Sequence, residues 1–166
     1  MLTQLLIGGF LITMTIAVQA VIIGIVETLF NRSRAWLVKP PRIAKLVLAL
    51  TAVVLCIMIG VSISAWLWAG VYMWLGVFES LETSVYYSIV NMTTLGFGDI
   101  IITKEWRILA ALEAADGLII FGLSTAYLME FISELRTSQR EYLDQHKKSL
   151  QRRQQIKKQS KTRLDE

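Results

Sequence analysis

The chain has 166 residues, 54% of them hydrophobic and 18% charged, with a mean hydropathy of +0.52; so apolar a composition excludes an ordinary soluble domain and predicts a membrane protein. The formal net charge of +4 does not point to nucleic acid, because the basic residues flank apolar segments, as topology signals do. The single cysteine, Cys56, lies inside an apolar run and excludes an intrachain disulfide.

Residues 1–30 supply the first predicted span. From Leu5 to Phe30 there is no Lys or Arg, and the stretch exceeds the roughly 20 residues that cross a bilayer, which predicts a tilted helix. Gln19 is placed to hydrogen-bond another helix, and Glu27 to reach headgroup water or Arg32 or Arg34. Val18-Gln19-Ala20 would suit a signal peptidase, but a basic segment before the apolar run is missing and the run continues past that site. A retained span is therefore expected.

Residues 31–45 form a basic connector with Arg32, Arg34, Lys39, Arg42 and Lys45 and no acid, which predicts a cytoplasmic loop and an N-terminus outside. Pro40-Pro41 forbids helix across it. Leu46 to about Phe78 is the second span. Trp66, Trp68, Tyr72 and Trp74 crowd its far end, as aromatics do at a membrane interface.

Ser80 to Met92 is too short to cross and reads as a half-helix that dips into the membrane, its dipole favouring a cation at its C-terminal end. Thr93-Thr94-Leu95-Gly96-Phe97-Gly98-Asp99 follows, poor both as helix and as strand. At membrane depth such backbone is tolerated only where it is buried in protein or lines a watery cavity. Trp106 to about Ile132 is the third span, returning to the cytoplasm.

Thr94-Leu-Gly-Phe-Gly-Asp99 resembles the selectivity filter of potassium channels, in the variant with leucine for valine and phenylalanine for tyrosine. The resemblance extends over residues 46–133, the pore domain. It implies an all-α membrane protein of three transmembrane helices plus a re-entrant pore helix and filter loop, assembled as a homotetrameric pore. It also implies that Thr94, Leu95, Gly96, Phe97 and Gly98 form the ion-coordinating strand, with K+ held by the oxygens of Thr94 to Phe97. K+ is the permeant ion; no enzyme activity and no cofactor are implied.

Tyr86 and Tyr87 stand where relatives carry aromatics that brace the filter. Phe97 lacks a hydroxyl, so one of these tyrosines is expected to reach Asp99. Gly117 falls at the place of the family's gating hinge, with Gly122 one turn on, and close helix packing is the alternative for both. Helix geometry puts Leu118, Phe121, Thr125 and Met129 on one stripe, which should line the cavity below the filter. Glu113 and Asp116 are ionisable groups at membrane depth. Asp116 lies roughly 160 to 180° from the cavity stripe, so both carboxylates are expected behind the filter, served by Ser84, Ser88 or Thr93.

Residues 134–166 are a basic tail, expected to be a cytoplasmic helix too irregular in its apolar spacing for a coiled coil. Its basic face suits anionic lipid. No helix repeats arginine at every third position, so a moving voltage sensor is unsupported, and the gating stimulus stays open. Two other functions fit parts of the pattern. One is a less selective cation channel. The other is an intramembrane aspartyl protease of the Gly-x-Gly-Asp type, which would need Asp99 and Asp116 as a pair, although three spans are too few for it.

Overall fold

The structure, a computed structural model, describes residues 1–37 and 42–162. Four helices follow one another: α1 (Leu2–Leu37), α2 (Arg42–Trp74), α3 (Leu81–Met92) and α4 (Arg107–Thr162), the last entered through a 3-10 turn at Lys104–Trp106. No strand occurs among the described residues. Segments Leu2–Ser33, Ile43–Trp74 and Lys104–Ser149 are each long and apolar enough to cross a membrane. The chain is an all-α, multi-pass membrane protein.

Helix ends follow from local chemistry. Nothing between Asn31 and Leu37 breaks a helix, so α1 runs through the first half of the basic connector, and α2 already begins at Arg42. Pro40 and Pro41 lie outside the described residues. At 1.5 Å per residue α1 is about 54 Å long, well beyond a hydrocarbon core of about 30 Å. At the other end α2 stops at Trp74, four residues before Phe78, in a Schellman turn. There the Val77 N–H bonds the Tyr72 carbonyl at 2.9 Å and the Gly76 N–H bonds Met73 at 3.0 Å. Ser80 caps α3, its hydroxyl accepting the Thr83 N–H at 3.1 Å, and Glu82 sits in the first turn, where the helix dipole favours an acid.

α1 packs along both α2 and α4, and α3 is held between α2 and α4. One apolar cluster lies toward the connector, where Phe30 meets Phe131 edge-on at 4.7 Å between ring centroids and Leu135 is fully buried. α4 thus stays packed on α1 as far as Leu135 and continues as helix to Thr162. A second cluster, with Leu11, Trp68, Tyr72 and Leu109, lies toward α3. Thr15, Gln19, Ser64, Glu113, Asp116 and Ser124 are buried between the helices as well. Thr15, Gln19, Asp116 and Ser124 sit where α1 meets α4, and Glu113 sits between α2, α3 and α4.

Candidate functional site

The glycine segment is shaped by the end of α3. The N–H groups of Thr94, Leu95 and Gly96 turn back to the last carbonyls of α3: Thr94 to Asn91 at 2.9 Å, and Leu95 and Gly96 to Val90 at 3.0 and 3.4 Å. φ is positive at Thr94 (57°), Gly96 (56°) and Gly98 (76°), but not at Leu95 or Phe97. Alternation in the sign of φ lets successive peptides face the same way instead of alternating as they do in a strand, and the N–H groups of residues 94–96 gather on α3. Among the described residues no hydrogen bond is accepted by the carbonyls of residues 94–98. Glycine takes the positive φ without strain; Thr94 does so at a cost of about 1–3 kcal/mol, offset by its anchorage to α3. Leu95 and Phe97 are 60% and 65% exposed on the single chain.

Tyr86, not Tyr87, reaches the carboxylate: its hydroxyl donates to Asp99 Oδ2 at 2.7 Å, while the Ile100 N–H bonds Oδ1 at 3.1 Å. The Tyr86 hydrogen bond holds the Asp99 carboxyl below the ordinary aspartate range. A group depressed in the folded state contributes its stability above its ordinary pKa and loses it as pH falls through the lowered one. The brace therefore persists at neutral pH and is released as pH falls through the lowered value. In Tyr86→Phe the Asp99 carboxyl should titrate upward, toward the ordinary value of about 3.9, as read by carboxyl-carbon NMR, whereas Tyr87→Phe should leave it in place. Identical titrations in the native chain and Tyr86→Phe would contradict the brace. Tyr87 packs edge-on against Tyr72 at 5.5 Å between centroids. Both tyrosines, with Asn91, Gly96, Gly98 and Arg107, line a cavity of about 270 Å³ beside the glycine segment.

Glu113 ties three helices together. Its Oε2 accepts Asn91 Nδ2 of α3 at 2.7 Å and the Tyr72 hydroxyl of α2 at 2.8 Å, and the same amide nitrogen donates to the Ala110 carbonyl at 2.8 Å. Two of the hydroxyls expected to serve the carboxylates bond their own helix instead: Ser84 donates to Ser80 and Thr93 to Ile89. Asp116 requires a correction. It does not face α3: its Oδ2 accepts the Thr15 hydroxyl of α1 at 2.7 Å and Trp68 Nε1 of α2 at 2.9 Å. The reason is that α1 occupies the space behind this part of α4. One turn further along α1, Gln19 Nε2 donates to the Ser124 hydroxyl at 3.1 Å. Asn91 is a site residue that sequence reasoning missed. Its signal was an amide in the last turn of a half-helix at membrane depth, where only protein can satisfy it.

A β-carbon at Gly117 would lie 1.9 Å from the Met92 carbonyl oxygen, so here the α4 backbone presses on the end of α3. Gly122 has open surroundings, and α4 runs through both glycines as unbroken helix. That contact supports the packing alternative at Gly117. Leu118 and Met129 are 61% and 69% exposed, Thr125 is exposed and Phe121 half-buried. These four lie on the part of α4 that the chain's other helices leave largely uncovered.

No curated protein and no solved structure matches the chain. Residues 53–134 match a family model described as "Ion channel", a span that takes in most of α2, all of α3, the glycine segment and α4 as far as Glu134. It leaves out α1 and the far part of α4. Over residues 53–134 the chain belongs to this ion channel family, and α1, packed on α2 and α4, is an added transmembrane helix of the same molecule.

Proposed function

We propose that the chain is the subunit of a potassium-selective channel in which four copies close around one axis with residues 94–98 innermost. One observation carries this reading: the N–H groups at the start of the segment are consumed by α3, while its carbonyls accept no hydrogen bond among the described residues. Oxygens so arranged replace the water shell of a dehydrated cation. One chain supplies one wall of such a passage. Four walls make successive rings, from the Thr94 hydroxyl and carbonyl through Leu95 and Gly96 to Phe97 and Gly98.

Tyr86 and Asp99 brace the far end of the segment, and Glu113, through Asn91, fixes the helix that carries it. Tyr87 stands beside the segment in the same cavity. Asp116 supports the site at one remove, by docking α1 and α2 on α4. Leu118, Phe121, Thr125 and Met129 line the cavity that follows. Gly117 acts as a packing point, and Gly122 is left as the position with room for a bend. The N-terminus lies outside and the basic tail in the cytoplasm of the cell membrane, where its basic face rests on anionic lipid.

A less selective cation channel is the second reading, because Leu95 and Phe97 replace the valine and tyrosine of the pattern that the segment resembles. The protease reading loses its footing: Asp99 sits in a loop on Tyr86, Asp116 sits on Thr15 and Trp68, and the two share no hydrogen bond. Assembly is tested by light scattering of the detergent-solubilised protein. A protein mass of about 75 kDa, four times the 18.8 kDa of one chain, is expected. A stable monomer or dimer would contradict it.

A further inference from the structure

We propose that a groove between α1 and α2, at their connector ends, holds one acyl chain of an anionic phospholipid whose headgroup rests on Arg32. α1 turns Leu29, Phe30 and Ser33 toward α2, which answers with Ala49, Ala52 and Cys56. The two alanines are too small to fill the space below α1. What remains is a cavity of about 210 Å³, open on one side, with Phe131 of α4 contributing to its lining.

Depth identifies the occupant. The α2 residues of the groove, Leu48 to Cys56, lie three to eleven residues beyond Lys45, about 5 to 16 Å along the helix. In a core of about 30 Å that is the hydrocarbon of a single leaflet. Water has few partners in so apolar a space, and an empty one forfeits dispersion contacts, so a hydrocarbon chain is the occupant that fits. Phe131 lies about 140° around α4 from Leu118 and about 160° from Met129, though about 80° from Phe121. The groove therefore lies on a different side of α4 from Leu118 and Met129.

Charge selects the headgroup. Arg32 is exposed on α1 beside Ser33 of the groove, and the sequence from there to Lys45 carries no acid. Glu27 lines a different cleft, with Tyr127 and Glu130. This site is separate from the basic tail and does not depend on the ion that the filter prefers.

The test uses the full chain in vesicles containing phosphatidylglycerol with a photoreactive diazirine at mid-chain, or phosphatidylcholine carrying the same chain. Labelled peptides are mapped by mass spectrometry. The expected result is label concentrated on residues 26–33 and 48–56, with the anionic lipid favoured about fivefold or more, the weight of a single basic residue near an anionic surface. Ala52→Trp, which fills the groove, should remove most of that label, and the milder Ala52→Leu should reduce it if the tryptophan variant fails to fold. Arg32→Gln should narrow the preference between the headgroups while the position of the label stays the same. Label spread evenly over the exposed faces of α1 and α2, absent from the groove, or unmoved by either Ala52 substitution would overturn the site. Equal labelling by the two lipids would overturn the anionic assignment.

Discussion

Gly117→Ala is expected to destabilise the folded protein by about 3 kcal/mol and to abolish ion flux, although it adds only a methyl group. That methyl would have to sit 1.9 Å from the Met92 carbonyl oxygen, a main-chain atom that cannot rotate away. Either α4 or the end of α3 must shift. The residues that follow Met92 are anchored to the same helix end, by the bonds from Leu95 and Gly96 to the Val90 carbonyl, so a shift there moves the glycine segment with it. Gly122→Ala is the internal control. Its surroundings are open, and alanine forms helix better than glycine by about 1 kcal/mol, so that variant should be neutral or stabilised. Thermal unfolding in detergent and potassium efflux from vesicles read both outcomes. If both variants fold as the native chain does and differ only in gating, the glycines are hinges and the packing account fails.

Asp116→Leu is expected to cost about 2–4 kcal/mol, because it strands the Trp68 indole N–H and removes the acceptor of Thr15 in a buried layer, each at about 1–3 kcal/mol. Thr15 loses less than Trp68, since its hydroxyl also reaches the Leu11 and Ile12 carbonyls at 3.1 and 3.0 Å. Asp116→Asn keeps an acceptor oxygen and should cost under about 1 kcal/mol. The damage should fall on α1, seen as faster amide exchange around Thr15 and Gln19, before it reaches α3. A change in how the current rectifies in either variant, with α1 and thermal stability unchanged, would place Asp116 in the cavity and contradict the assignment.

How far the sequence foretold these contacts depended on what each residue needed. α3 was legible almost to the residue, since Ser80 offers a cap, the helix is too short to cross, and two glycines follow. The Asp99 brace was legible as chemistry: Phe97 has no hydroxyl, and a tyrosine one α3 length away was required. Which of Tyr86 and Tyr87 supplies it was a matter of rotation about α3, and aromatic neighbours at Tyr72 and Phe78 took Tyr87. That Asp116 lies on the opposite side of α4 from Leu118 and Thr125 follows from angle alone, and it is buried where those two are exposed. Its partners were not legible, since angle does not say which helix stands behind. Both α1 and α3 pack on α4, and the bonds from Thr15 to Asp116 and from Gln19 to Ser124 put α1 behind Asp116. The length of α1 was available from the absence of a breaker before Pro40, but the basic charge of residues 31–37 read more strongly as loop.

The conduction account rests on main-chain oxygens of residues 94–98 facing an ion that has shed its water. Reversal potentials of the purified protein in planar bilayers, with potassium on one side and sodium on the other, test it most directly. The account predicts a reversal potential displaced strongly toward the potassium equilibrium potential and following it as the potassium gradient is changed. A reversal potential near zero under those conditions, or no cation current at all from correctly folded protein, would contradict it.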